Sequence, residues 1–153
     1  MPKHSATKAA NVSVKLAPNH AKVYDALRAG ARPMTAYELI DAVRPSGISA
    51  PPTVYRALNK LIDLGLAHRL ESLNAFVACS HADEHGGGAI FMICDTCGET
   101  REVVDRTLDQ HLRQASGEHA FHMAQATVEL RGHCAVCEAG SNGRPIPDGE
   151  SRA

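Results

Sequence analysis

Apolar positions in the first half of the chain recur at helical spacing. Residues 18–28 carry a short apolar stripe that follows a proline and stops before Gly30, which predicts a first helix. A second helix is predicted within residues 34–43, where Thr35 and Glu38 have the spacing of a capping box. Both helices are short, as expected for a small domain.

A third helix is predicted from Pro51 to about Leu64, with Gly65 at its C-terminal end. The pattern then shortens into two strand-like segments, 66–71 and 75–78, which predict a β-hairpin. Three helices with a tight break before the third indicate a helix-turn-helix, and a hairpin directly after it is typical of a wing. The first half is therefore predicted to be a winged-helix domain.

The second half of the chain mixes strands with one helix. A continuous apolar run at 89–93 and a short segment at 99–104 predict two strands, and residues 105–116 have apolar positions at helical spacing. A third strand is predicted at 121–130. The fold class is thus expected to be α+β, with a small α/β domain after the winged helix-turn-helix.

Composition divides the chain into five parts. Residues 1–15 are polar and lysine-bearing, which predicts a mobile arm, and the winged-helix domain is expected over 16–78. The polar, glycine-ended stretch 79–88 is interpreted as a hinge to a second domain, 89–137. Residues 138–153, rich in Gly, Ser, Pro and charge, are expected to be a disordered tail.

Charge is distributed unevenly between the two halves. Residues 1–78 hold ten Lys/Arg against five Asp/Glu and residues 79–153 hold six against twelve, so halves of +5 and −6 give the net charge of −1. A basic half suits a polyanion, so a nucleic-acid contact is expected there. No apolar run approaches the ~20 residues of a membrane span and the chain starts without the apolar core of a signal peptide, so a cytoplasmic protein without a membrane partner is expected.

Four of the five cysteines form two Cys-x-x-Cys pairs with 36 residues between them. A two-residue spacer lets both thiolates of a pair reach one ion, and two pairs complete a closed tetrahedral site in which zinc is the usual occupant. Paired cysteines in a reducing cytosol more often hold metal than form disulfides. A structural zinc site is predicted, with a redox switch as the alternative, at Cys94, Cys97, Cys134 and Cys137.

The third helix has an apolar and a polar side. The apolar side is predicted to pack inward through Val54, Leu58, Leu61 and Ile62. The polar side offers an Arg able to fork onto guanine, an Asn for adenine and a Lys for phosphate. The alternative is a polar face that only contacts solvent. The hairpin that follows and the basic charge of this half of the chain favour DNA recognition instead. The residues of the polar side are Tyr55, Arg56, Asn59 and Lys60.

The fifth cysteine, Cys79, lies at the predicted hinge with His81 and His85 within six residues of it. A cysteine near a histidine can be a nucleophile with its base, which makes a cysteine hydrolase one alternative. No oxyanion-hole loop or orienting partner is recognisable in the sequence. The chain is therefore predicted not to be an enzyme.

Five segments taken together resemble the ferric-uptake-regulator (Fur) repressors, in particular their zinc-uptake-regulator (Zur) branch, over residues 16–137. They are Thr35-Ala-Tyr-Glu-Leu-Ile, Pro52-Thr-Val-Tyr-Arg-Ala-Leu, Leu66-Ala-His-Arg-Leu-Glu-Ser, Ile93-Cys-Asp-Thr-Cys-Gly and Gly132-His-Cys-Ala-Val-Cys. The resemblance implies a homodimer whose second domain is the dimerisation domain with the four-cysteine zinc site. It also implies a repressor that binds inverted-repeat operators in double-stranded DNA when zinc is sufficient and silences zinc-uptake genes.

The resemblance further implies one structural and one regulatory zinc ion per subunit. It assigns the regulatory ion to His68 at the wing, Cys79 and His85 at the hinge, and Glu102 after the second strand, with His81 a rival to His85 because the hinge is longer than in relatives. The DNA-binding residues expected from the third helix and the resemblance are Tyr37, Thr53, Tyr55, Arg56, Asn59 and Lys60.

Two alternatives stay open. One is an iron or peroxide sensor of the same family, for which the thiol of Cys79 is the wrong sort of ligand and the hinge lacks the His-His-Asp-His run of iron-sensing relatives. The other is a zinc-binding interaction module that does not bind DNA. Gln125 stands where many relatives carry a histidine in the last strand, so that ligand is absent unless His122 or His119 substitutes for it.

Overall fold

The structure is a computed structural model that describes residues 15–80 and 88–140. The predicted arm, most of the predicted tail, and the ligand candidates His81 and His85 lie outside these residues. The helices and strands are, in chain order, α1 (Pro18–Gly30), α2 (Ala36–Val43), α3 (Pro51–Asp63), β1 (Ala67–Leu70), β2 (Ala75–Ala78), β3 (Ala89–Cys94), β4 (Thr100–Val104), α4 (Arg106–Glu118), β5 (Thr127–Gly132) and α5 (Ala135–Gly140).

The three N-terminal helices and the hairpin share one apolar core. The side chains of Val23, Leu39 and Leu58, one from each helix, are fully buried in it. Strands β1 and β2 pair antiparallel to form the hairpin, which is called the wing below (residues 67–78). A backbone bridge between Met34 and Phe76 ties the entry of α2 to the wing. This arrangement agrees with the winged-helix prediction.

The first helix ends differently from the prediction. Gly30 is its last residue rather than the residue after it, and Ala31 adopts the left-handed conformation (φ 50°). A Cβ on Gly30 would lie 2.5 Å from the sulfur of Met34. Gly30 therefore packs closely against the flexible Met34 side chain, and it does not supply the left-handed turn.

The capping box of α2 is present as predicted. The Glu38 N–H donates to Thr35 Oγ1 (3.3 Å), and the Thr35 N–H donates to Glu38 Oε2 (2.7 Å). The Thr35 backbone N–H, followed by the Arg32 side chain, lowers the pKa of Glu38 to about 2. The two residues thus satisfy donors at the start of the helix that would otherwise have no partner.

Replacing Thr35 by Ala is expected to lower the free energy of unfolding by about 1 kcal/mol, because one cap acceptor is lost. The stabilising effect of the Glu38 carboxylate should also depend on pH. Its folded-state pKa lies below the ordinary value of 4.5, so its contribution to the free energy of unfolding is fully present above about pH 4.5 and is lost as the pH falls towards 2. Urea unfolding across this pH range measures both effects. Glu38→Gln keeps a capping acceptor but does not titrate, so an identical acid loss in that variant would contradict the assignment.

The C-terminal domain (residues 88–140) is built on a three-stranded sheet with the order β4-β3-β5. Strand β3 pairs antiparallel with β4 and parallel with β5. Helix α4 connects the two outer strands and is capped by Asp105, whose carboxylate accepts from the N–H groups of Thr107 and Leu108. The parallel pairing places the end of β5 beside the end of β3, which brings the two cysteine pairs together.

Two elements of this domain differ from the predictions. The last strand spans Thr127–Gly132, whereas the sequence pattern predicts a strand over 121–130. The register pairs Ala89, the first residue of β3, with Thr127, so residues before 127 have no partner on β3. Helix α5 extends to Gly140, three residues into the segment expected to be a disordered tail, because it continues directly from the second cysteine pair.

A second apolar cluster joins the two domains and was not predicted. Leu70 and Val77 of the wing pack with Ala89, Phe91 and Ile93 of β3. The wing therefore has both faces covered, one by the helices and one by the sheet. Within the residues that the structure describes, no helix has the length and apolar character to span a membrane.

Candidate metal centres and DNA-binding surface

The two Cys-x-x-Cys pairs meet at one edge of the C-terminal domain. Cys94 ends β3 and Cys97 follows in the next turn, while Cys134 and Cys137 lie at the start of α5. The four sulfur atoms all lie within 4.8 Å of one another. This group is called the thiolate cluster below. Four convergent sulfurs match the donor set of a closed zinc site.

The four thiols cannot all ionise independently at this separation. Backbone N–H groups of Cys97 and Cys134 lower the pKa of Cys94 to about 6. The neighbouring sulfurs of Cys134 and Cys97 raise the pKa of Cys137 to about 12. A bound divalent cation would favour the deprotonated form of all four thiols, because thiolate is the form that binds metal. The donor set therefore fits a structural metal ion.

A second group of ligand atoms forms where the two domains meet. His68 on β1, Cys79 just after β2 and Glu102 on β4 place one donor atom each within 4.8 Å of the others. The Cys79 thiol donates to Glu102 Oε1 (3.3 Å), and His68 Nε2 lies 3.8 Å from the same oxygen. The Ser80 N–H holds the other carboxylate oxygen at 2.7 Å. These three ligand candidates are called the junction cluster below.

The imidazole of His68 is buried without a hydrogen-bond partner. Neither ring nitrogen has a partner among the described residues, and the side chain is only 9% exposed. Burial lowers the pKa of His68, although Glu102 acts in the opposite direction. Buried polar atoms are normally hydrogen-bonded, and the neutral imidazole is the form that binds metal. A metal ion bound here would account for the orphaned nitrogens.

The structure therefore brings together three of the four ligands that the family resemblance implies. The fourth, His85, and its rival His81 lie outside the described residues. Sequence reasoning missed the Ser80 N–H, which orients Glu102, and Phe91, whose ring packs edge-on at 5.2 Å from the His68 ring. No spacing in the sequence signals either contact, because both cross from one domain to the other.

The polar side of α3 faces solvent. Tyr55, Arg56, Asn59 and Lys60 are all exposed, and Thr53 is half-buried. Tyr37 on α2 is 80% exposed, which is unusual for a large aromatic side chain. The apolar side is as predicted except that Ala57 is buried and Ile62 is only half-buried. Ala57 was not among the residues expected to pack inward.

The fold and the two clusters define a winged-helix protein with a four-cysteine cluster in its C-terminal domain and three further candidate metal ligands at the junction of its domains. The model of the Ferric uptake regulator family matches residues 11–131, and the chain belongs to this family.

Relatives of known name agree with this assignment. The zinc uptake regulation protein of Escherichia coli (strain K12) is 31% identical over 126 residues, which are 82% of this chain and 74% of that protein. The zinc uptake regulation protein of Mycobacterium tuberculosis (strain ATCC 25618 / H37Rv) is 28% identical over 106 residues, covering 69% of this chain and 80% of that protein.

Two solved structures are also similar. Holo XcZur has a TM-score of 0.75 and 39% identity, covering 86% of this chain and 92% of that one. A zinc uptake regulator in complex with zinc and DNA has a TM-score of 0.75 and 28% identity, covering 84% of this chain and 87% of that one.

Proposed function

We propose that the protein is a zinc-responsive transcriptional repressor that binds palindromic operators as a homodimer when zinc-loaded and controls zinc-uptake genes. The observation that carries the proposal is the junction cluster, because its ligand atoms come from the winged-helix domain and from the sheet. The names of the similar proteins, which include zinc uptake regulators and one complex with zinc and DNA, support it.

The thiolate cluster is assigned to a structural zinc ion. Its four sulfurs leave no open coordination position, so no catalytic role is assigned to it. The ion would join the end of β3 to the start of α5, and β5 lies between these points in the chain. One such ion per subunit is proposed.

The junction cluster is assigned to a regulatory zinc ion, also one per subunit. Cys79 and Glu102 supply two negative charges and His68 supplies a neutral nitrogen, which together neutralise a divalent ion. The soft sulfur favours zinc over iron or manganese. His85 is proposed as the fourth ligand with His81 as its rival, since both lie in the chain that connects Ser80 to the described part of the sheet domain.

The junction ligands converge only when the wing lies against the sheet. His68 belongs to the proposed winged-helix domain (16–78), Cys79 opens the proposed hinge (79–88), and Glu102 belongs to the proposed dimerisation domain (89–137). A bound zinc ion would supply bonds between these parts. We propose that DNA binding requires this same orientation. Metal binding and DNA binding then strengthen each other by the same factor, about 5- to 150-fold for a coupling of about 1–3 kcal/mol.

The exposed side of α3 is assigned to the major groove, where a recognition helix of a helix-turn-helix reads base edges. Arg56 and Asn59 are the proposed base-reading residues, and Lys60 a phosphate contact. Thr53, Tyr55 and Tyr37 complete the proposed surface. A two-fold dimer presents two such helices, so it requires an operator with inverted half-sites.

A zinc titration tests the proposal. A duplex is first recovered from a random pool by the zinc-loaded protein, and its binding is then measured by gel shift across chelator-buffered free zinc, iron and manganese. Protein that keeps one zinc ion per subunit in the thiolate cluster, but none at the junction, is expected to bind the duplex much more weakly. Equal binding by both forms would refute regulation by zinc, and a response to iron alone would favour the iron-sensing alternative.

Replacing Arg56 by Ala is expected to weaken operator binding by at least about fivefold, since each subunit of the dimer loses one bidentate base contact that contributes about 1–3 kcal/mol. Zinc content and the free energy of unfolding should not change, because the side chain is exposed. Arg106→Ala, at the exposed start of α4, removes the same charge outside the proposed surface and serves as the matched control. Equal binding by the two variants would remove α3 from the DNA interface.

A further inference from the structure

A carboxylate of the C-terminal domain contacts the tip of the wing. Glu129 on β5 accepts hydrogen bonds from the backbone N–H groups of Glu71 (2.7 Å) and Ser72 (3.2 Å). These two residues open the 3-10 turn that joins β1 to β2, at the end of the wing away from Cys79. The first N–H groups of a helical turn have no partner within it, so this carboxylate satisfies them from outside the domain.

Glu129 lies in the same row of the sheet as the ligand candidate Glu102. Phe91 on β3 is paired with Glu102 on one side and with Glu129 on the other. Residues directly opposite in paired strands project from the same face. The row therefore meets the wing at two points, Phe91 at the His68 ring and Glu129 at the turn, and meets the residue after the wing through Glu102 at the Cys79 thiol.

We infer that Glu129 is a positioning residue that holds the wing against the sheet without metal and so lowers the zinc concentration needed for operator binding. The inference rests on the proposed function, because it concerns the zinc response. The contact favours the orientation in which His68, Cys79 and Glu102 converge. A contact that populates this orientation beforehand raises the apparent affinity for any ligand that requires it.

The carboxylate form of Glu129 is the one suited to this contact. Burial raises its pKa, but the hydrogen bonds from the Ser72 side chain and from the Glu71 and Ser72 backbones outweigh burial and hold the pKa below its ordinary value. Hydrogen bonds from N–H groups to a carboxylate are stronger than those to a neutral acceptor. A glutamine would also bring an NH2 group towards two N–H donors, so Glu129→Gln weakens the contact while keeping the side-chain size.

The contact is tested by amide hydrogen exchange on the full-length protein without DNA and without junction zinc. In Glu129→Gln, exchange of the Glu71 and Ser72 amides is expected to rise by about threefold to tenfold, because a neutral acceptor replaces a charged one and the hydrogen bonds weaken by about 1 kcal/mol. Amides of α3 should be unaffected. Glu118→Gln is the matched control, because it makes the same charge change on α4, where Glu118 contacts Gln114.

The zinc response is the second measurement. The free zinc concentration for half-maximal binding of the selected duplex is expected to rise by about threefold to tenfold in Glu129→Gln, and saturating zinc should restore wild-type affinity. The inference would be overturned if Glu129→Gln had the same zinc midpoint as Glu118→Gln. It would also be overturned if exchange of the Glu71 and Ser72 amides were unchanged in Glu129→Gln, or if exchange became faster throughout the winged-helix domain. If the wild type itself shows no zinc-dependent binding, the proposed function fails, whereas the exchange of the two amides still decides the contact.

Discussion

Replacing Cys137 by Ser is expected to release the structural zinc ion and to unfold the C-terminal domain. Structural zinc sites contribute about 10–16 kcal/mol to folding, whereas whole domains are stable by only about 5–15 kcal/mol. The buried apolar residues of this domain, among those that the structure describes, all lie on β3. The strands β4 and β5 and the helices α4 and α5 therefore depend on the link between the cysteine pairs more than on a core of their own.

The measurement is zinc content together with circular dichroism and sedimentation. The variant should lose both zinc ions, because unfolding of β4 also removes Glu102 from the junction cluster. It should lose the signal of the three-stranded sheet and fail to dimerise, while the winged-helix domain keeps its helical signal because its core is separate. Cys79→Ser is the matched control, since it removes a thiol of the junction cluster and leaves the thiolate cluster complete. Wild-type zinc content and thermal unfolding in Cys137→Ser would refute the structural assignment.

The helices of the first domain could be predicted because their ends depend on neighbours in the chain. Thr35 and Glu38 cap α2 across three residues, and Gly65 ends α3 with a left-handed backbone (φ 70°). The end of α1 was mispredicted because Ala31 adopts the left-handed conformation, whereas a glycine is the residue that normally marks this position.

The candidate sites could be predicted to different extents. The thiolate cluster could be predicted because each Cys-x-x-Cys pair is local in the chain, although the parallel pairing of β3 with β5 is what brings the two pairs together. The junction cluster does not, because Cys79 and Glu102 are 23 positions apart and only the resemblance joined them to His68. Leu70 and Val77 show why the docking of the wing was missed: both look like ordinary core residues of a hairpin, and no pattern in the sequence says that a second domain covers them.

Replacing Cys79 by Ser is expected to abolish the zinc dependence of operator binding and to leave the fold intact. A serine hydroxyl stays protonated, so the junction loses both its soft ligand and one of the two negative charges that would neutralise the ion. The serine hydroxyl is still a donor for Glu102 in place of the thiol, and the Ser80 N–H still holds the other carboxylate oxygen, so the apo junction should keep its packing. Operator affinity at saturating zinc should then fall by about 5- to 150-fold, the range of the coupling itself.

The experiment compares Cys79→Ser with Ser80→Ala in the same gel-shift titration. Ser80→Ala changes the adjacent residue but keeps the backbone N–H that binds Glu102, so its zinc response should match the wild type. Both variants should retain one zinc ion per subunit in the thiolate cluster. An unchanged zinc response in Cys79→Ser would show that the regulatory ion binds elsewhere, and the convergence of His68, Cys79 and Glu102 would then be a feature of domain packing alone.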